Sequence, residues 1–91
     1  MKRARLIINP ISGTSSKKGG IEEQAREILK DLWDIECCYT TCAGDATRLA
    51  REAVDDGFDA VIAAGGDGTV NETARAMAHT DVPMGIVPCG S

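Results

Sequence analysis

Residues 59–72 read DAVIAAGGDGTVNE, and this stretch decides the fold. Its first half, DAVIAAGG, is an unbroken apolar run, the pattern of a strand buried in a parallel sheet. Its second half opens a helical spacing that places Val70, Ala74, Met77 and Ala78 on one face. Between the two stand Gly65, Gly66 and Gly68 around Asp67. A bare strand-to-helix connection needs fewer turn-formers than this. Glycines permit positive φ angles and remove the Cβ atoms that would hold a ligand off the backbone. Successive N–H groups in such a loop form an anion site, to which the following helix adds its positive end. Asp67 would repel a bare phosphate, so its presence points to a metal–nucleotide complex or a reacting hydroxyl. Thr69 and Glu72 also fit a capping box that would serve the helix end alone.

The stretches on either side repeat the strand–helix alternation. ARLIINP, Ala4 to Pro10, is a short apolar run stopped by proline, and a loop of Ser, Thr, Gly and Lys follows. From Ile21 the apolar positions Ala25, Ile28, Leu29, Leu32 and Trp33 mark a first helical face. IECCYTT, Ile35 to Thr41, is rich in strand formers. Asp45 is a candidate N-cap for a second helix, with Ala46, Leu49, Ala50, Ala53 and Val54 inward and an end near Gly57. VPMGIVPCGS supplies a fourth strand. The order βαβαβαβ predicts a three-layer α/β domain, Rossmann-like or flavodoxin-like, with parallel strands in the order 2-1-3-4. Strands 1 and 3 then meet at the switch point, where NPISG and GGDGTVNE converge. The first helix would cover one face and the other two helices the opposite one. One face is left under-covered and the fourth strand is an apolar edge, so the unit reads as incomplete and open to self-association.

Composition narrows the function. The 91 residues are 43% apolar and 26% charged with a net charge of −4, which fits one globular domain and argues against nucleic acid as partner. The basic cluster Lys2, Arg3 and Arg5 reads as a solvated strand entrance, with some capacity to meet an anionic lipid surface. No stretch approaches the roughly 18 apolar residues of a membrane span, and no signal peptide is recognisable. The expected location is cytoplasmic. Cys37, Cys38, Cys42 and Cys89 form no CxxC pair and read as buried, reduced strand residues. His79, the single histidine, sits at a helix end. There is neither a P-loop nor a GxGxxG after the first strand.

INPISG, TTCAGDA, GGDGTVNE and GIVPCGS, in this order along the whole chain, resemble the diacylglycerol kinase catalytic domain, the lipid-kinase family that includes sphingosine and ceramide kinases. Gly-Gly-Asp-Gly-Thr alone is less specific, since NAD kinases share it. The resemblance implies an ATP site made by Asn9, Pro10, Ile11, Ser12 and Gly13, by Thr40 (Thr41 being its rival), by Gly66, Asp67, Gly68, Thr69, Val70, Asn71 and Glu72, and by Ser91. Ser91 stands where the family usually has threonine, and Cys89 where it usually has an aliphatic residue. Asp67 is implied as the essential acid, holding Mg²⁺ or organising phosphoryl transfer to a lipid hydroxyl, with diacylglycerol the expected substrate. The family continues into a β-rich domain that carries the lipid pocket, a further metal site and the general base. The chain is therefore expected to be the N-terminal, nucleotide-binding part of such an enzyme and silent by itself. The other readings are a stand-alone nucleotide-binding module with a partner chain and, less favoured, an NAD kinase.

Overall fold

The computed structural model describes residues 2–9, 27, 31 and 33–88. The helix expected from Ile21 lies outside them, apart from Glu27, which is helical. The elements are β1 (Lys2–Ile8), β2 (Trp33–Tyr39), α1 (Asp45–Asp55), β3 (Ala60–Gly65), α2 (Asp67–Met77) and β4 (Met84–Pro88). All strand pairs are parallel and the order is β2-β1-β3-β4, as the alternation of the sequence predicts. In the central register Leu6 lies between Cys37 and Ile62.

Strand pleating splits the core in two. Ile7 and Val61 point to one face, where they pack with Ala46, Leu49, Ala50, Ala53, Phe58 and Met77 of the helical layer. Ala4, Leu6, Ile8, Ala60, Ile62 and Ala64 form the opposite face. Every residue of β3 is buried, which is why its sequence shows no polar alternation. β4 is an edge strand, as expected, and Ile86 on it is 57% exposed.

α1 buries the face its spacing predicts and ends at a left-handed glycine, Gly57, with φ of 82°. There Gly57 N–H donates to Val54 O at 3.2 Å and Phe58 N–H to Ala53 O at 3.0 Å, a Schellman motif. α2 departs from its predicted face. Thr69, Thr73 and Met77 are buried, whereas Ala74 and Ala78 are exposed. The Thr73 hydroxyl donates to Thr69 O at 2.8 Å, so this polar side chain is satisfied inside the core.

Four further expectations are corrected. Trp33 opens β2 instead of closing a helical face, and Thr40 and Thr41 fall beyond the end of that strand. Arg5 is buried, not solvated. It donates to Glu36 at 2.8 Å and to Leu49 O at 3.1 Å, and with Arg3 it brackets the Phe58 ring, at 4.8 and 4.4 Å from the centroid. β1 alternates, so Arg3, Arg5 and Ile7 share the helix-covered side. Cys37 and Cys38 are half-buried in β2, but Cys42 is exposed in the loop after it. Burial pushes the Cys38 thiol up. No helix among the described residues is long and apolar enough to cross a membrane.

Candidate functional site

β1 and β3 are neighbours, yet the chain leaves β1 toward β2 and leaves β3 toward β4. The gap above their carboxyl ends is the switch point of the sheet. Two backbone bonds carry the ladder one step past the strands: Asn9 N–H donates to Ala64 O at 3.1 Å and Thr40 N–H to Ile8 O at 2.9 Å. They bring Asn9 and Thr40 to a cavity of about 190 Å³. Thr41, Cys42 and Ala43 line it from the following loop, and Gly68, Thr69 and Glu72 from the first turns of α2. Residues more than 60 positions apart in the chain thus share one site, as the two quoted loops require.

The glycines work differently from the sequence reading. Among the described residues only Gly44 and Gly57 have positive φ; Gly66 is extended at φ −84° and ψ −170° and caps α2. Gly65 is a packing position, because a Cβ there would lie 2.8 Å from Thr69 Oγ1 and 3.2 Å from Asn9 Cβ. A Cβ on Gly68 would meet nothing within 4 Å, so this turn of the helix stays open to approach. The first N–H groups of α2, on Asp67, Gly68 and Thr69, have no intrahelical acceptor, and the Val70 N–H is the first to close a turn, on Gly66 O at 3.1 Å. Free N–H groups at a positive helix end suit an anionic ligand.

The capping box is not formed. Thr69 already lies inside α2, and α2 has no side-chain cap. Glu72 Oε2 instead accepts the Gly44 N–H at 3.1 Å, while Glu72 O accepts the Thr47 hydroxyl at 2.8 Å. Glu72 therefore ties the two helices together at the cavity. Asp67 is exposed at the start of α2, and Gly66, Val70 and Asn71 do not line the cavity either. No group of three metal-ligating side chains occurs among the described residues. A lone exposed carboxylate beside open N–H groups still fits Mg²⁺, which commonly takes one or two carboxylates and fills its sphere with phosphate oxygens and water. Pro10, Ile11, Ser12, Gly13 and Ser91 lie outside the described residues.

Asp45 has another role than the one its sequence position suggests. Gly44, at φ 89°, is the cap residue of α1, and Asp45 is the first residue of the helix, with no side-chain cap bond. Its carboxylate turns back to accept the Thr41 hydroxyl at 2.6 Å and the Thr41 N–H at 2.7 Å. Those two bonds hold its pKa well below the usual carboxylate range. The spacing Thr41-x-x-x-Asp45 inside TTCAGDA was the available signal, and the capping rule masked it.

With this geometry in place, comparison with known proteins decides the family. The model of the diacylglycerol kinase catalytic domain matches residues 3–91. The chain belongs to that family. It is 42% identical over 93 residues to a diacylglycerol kinase of Bacillus subtilis (strain 168), covering 100% of this chain and 31% of that protein. A diacylglycerol kinase of Staphylococcus aureus (strain MRSA252) is 36% identical over 92 residues, with 99% and 29% covered. The crystal structure of a diacylglycerol kinase from Bacillus anthracis str. Sterne superposes with a TM-score of 0.82 at 29% identity, over 99% of this chain and 31% of that one. The solution structure of a phosphate-loop protein matches with a TM-score of 0.67 at 26% identity, over 98% of this chain and 80% of that one. The chain thus spans about 30% of the length of the kinases it matches.

Proposed function

We propose that this chain supplies the ATP-binding part of an ATP-dependent lipid kinase, which transfers the γ-phosphoryl group to the hydroxyl of diacylglycerol. The observation that carries the reading is the junction of Asn9 and Thr40 with the open first turn of α2 at the switch point. The N–H groups of Asp67, Gly68 and Thr69 take phosphate oxygens, and Thr40, Thr69 and Glu72 orient the nucleotide. Asn9 to Gly13 and Ser91 complete the ATP contacts. Asp67 would hold Mg²⁺, which would supply neutralisation of the charge that develops on phosphoryl transfer. The groups that bind the acyl chains and take up the hydroxyl proton lie outside residues 1–91, so these residues by themselves are silent. The enzyme works in the cytoplasm and meets its lipid by peripheral contact with the membrane. A stand-alone nucleotide-binding module is the second reading, favoured by the match to 80% of the phosphate-loop protein.

The test is lipid phosphorylation by the full native chain with Mg·ATP and diacylglycerol in mixed micelles, beside the Asp67→Asn variant. Turnover by the wild type and a loss of at least about a hundredfold in kcat for the variant are expected, since a lost metal or charge contact is worth several kcal/mol. Full activity of Asp67→Asn would sink the assigned role. Nucleotide binding without lipid turnover would favour the module.

A further inference from the structure

Asp45 does not line the cavity, but two of the three residues that bond its side chain, Thr41 and Cys42, do. Its side chain is only 11% exposed. Oδ2 accepts both Thr41 protons, the hydroxyl at 2.6 Å and the amide at 2.7 Å. Oδ1 faces the Cys42 thiol at 3.6 Å and Arg48 at 3.4 Å. An ionised carboxylate only accepts, so the single hydroxyl proton of Thr41 must be directed at Asp45. What Thr41 presents to the cavity is then a pair of lone pairs and no donor. The loop is also held at its other end, where Glu72 takes the Gly44 N–H.

We infer that Asp45 is a positioning residue of the nucleotide site: it fixes Thr41 as an acceptor-only wall that receives the nucleoside half of the ligand. This rests on the ATP reading and deepens it. Phosphate oxygens are acceptors and find no partner on such a hydroxyl. Ribose hydroxyls and the exocyclic amine of adenine are donors and do. The triphosphate is left to the N–H groups of α2. The N–H groups of α2 then donate where the Thr41 hydroxyl accepts, and Asp45 sets the polarity of that hydroxyl.

The experiment is calorimetric titration of the full native chain with Mg·ATP and with Mg·tripolyphosphate, which lacks the nucleoside. Wild type, Asp45→Asn, Thr41→Val and the double variant are compared, with urea unfolding as a check on folding. Each single substitution is expected to weaken ATP roughly five- to thirtyfold, as loss of one charge-supported hydrogen bond does. The double variant should be no weaker than the weaker single one, and tripolyphosphate should move less than about twofold. Thr41→Ser should regain most of what Thr41→Val loses, and that pair decides the polarity of the wall even if Asp45→Asn does not fold. Undiminished ATP affinity in a folded Asp45→Asn, additive losses in the double variant, or an equal loss for tripolyphosphate would each overturn the inference while leaving the ATP reading intact. A folded wild type that binds no ATP would overturn the ATP reading itself, and this inference with it.

Discussion

Gly65 and Gly68 stand three residues apart in one motif and serve opposite ends. The space a side chain on Gly65 would need belongs to Thr69 Oγ1, 2.8 Å away, and to Asn9 Cβ, 3.2 Å away. Both neighbours line the cavity, and Asn9 is also held by its backbone bond to Ala64. Gly65→Ala should therefore lose about 1–3 kcal/mol of stability by overpacking, and weaken ATP binding as Thr69 and Asn9 shift. Gly68 has open space where a methyl would go and lies in a helical turn. Gly68→Ala should keep or gain stability, by up to about 1 kcal/mol, because alanine restricts the unfolded chain. It should still weaken ATP binding, since the methyl group stands where the ligand approaches. Urea unfolding and nucleotide titration on both variants separate the two roles. Unchanged binding by Gly68→Ala would mean that the ligand does not come near the first turn of α2.

At the scale of the elements, α1 shows how local chemistry sets a boundary. Its Schellman ending needs a left-handed residue at Gly57, where a non-glycine side chain costs about 1–2 kcal/mol. The same turn delivers Phe58 to the two arginines of β1. Gly57→Ala is expected to lower the unfolding free energy measured in urea by that amount without changing nucleotide affinity, because the turn lies at the far end of α1 from the cavity. A large change in affinity would show that the turn is coupled to the site. This ending was legible in the sequence, as were the faces of α1 and the whole of β3, because their apolar spacing is not interrupted. The buried face of α2 was not, since Thr69 and Thr73 read as polar until their partners are known. Trp33 continued a helical spacing although it opens β2, and Arg5 read as surface although both faces of β1 are covered from Ala4 to Ile8. The positions of Asn9, Thr40 and the first turn of α2 were legible from motif and topology together. The reach of Asp45 and Glu72 was not, because each also satisfies a helix-capping rule, and only tertiary contacts decide between the two uses.

At the scale of the molecule, the sheet gathers its chemistry at one edge. The chain crosses the sheet three times between described strands, and each pairing is parallel, so the carboxyl ends of β1 and β3 open onto the same side. The bond from Gly44 to Glu72 and the bond from Thr47 to the Glu72 carbonyl then join the starts of α1 and α2 into one rim. A ligand seated there cannot order one loop and leave the other unchanged. Hydrogen exchange of the full native chain should show Mg·ATP slowing amides in residues 40–47 and 66–73 together. The factor should approach a hundredfold at ligand concentrations about a hundred times Kd, since opening then competes with binding. Amides at the opposite ends of the same elements, in residues 50–58 and 84–86, should change far less. Asp67→Asn should diminish protection in both segments in parallel, although it alters only one. Protection confined to 66–73 would mean that the rim does not act as a unit, and that the loop from Thr40 to Gly44 forms no part of the nucleotide site.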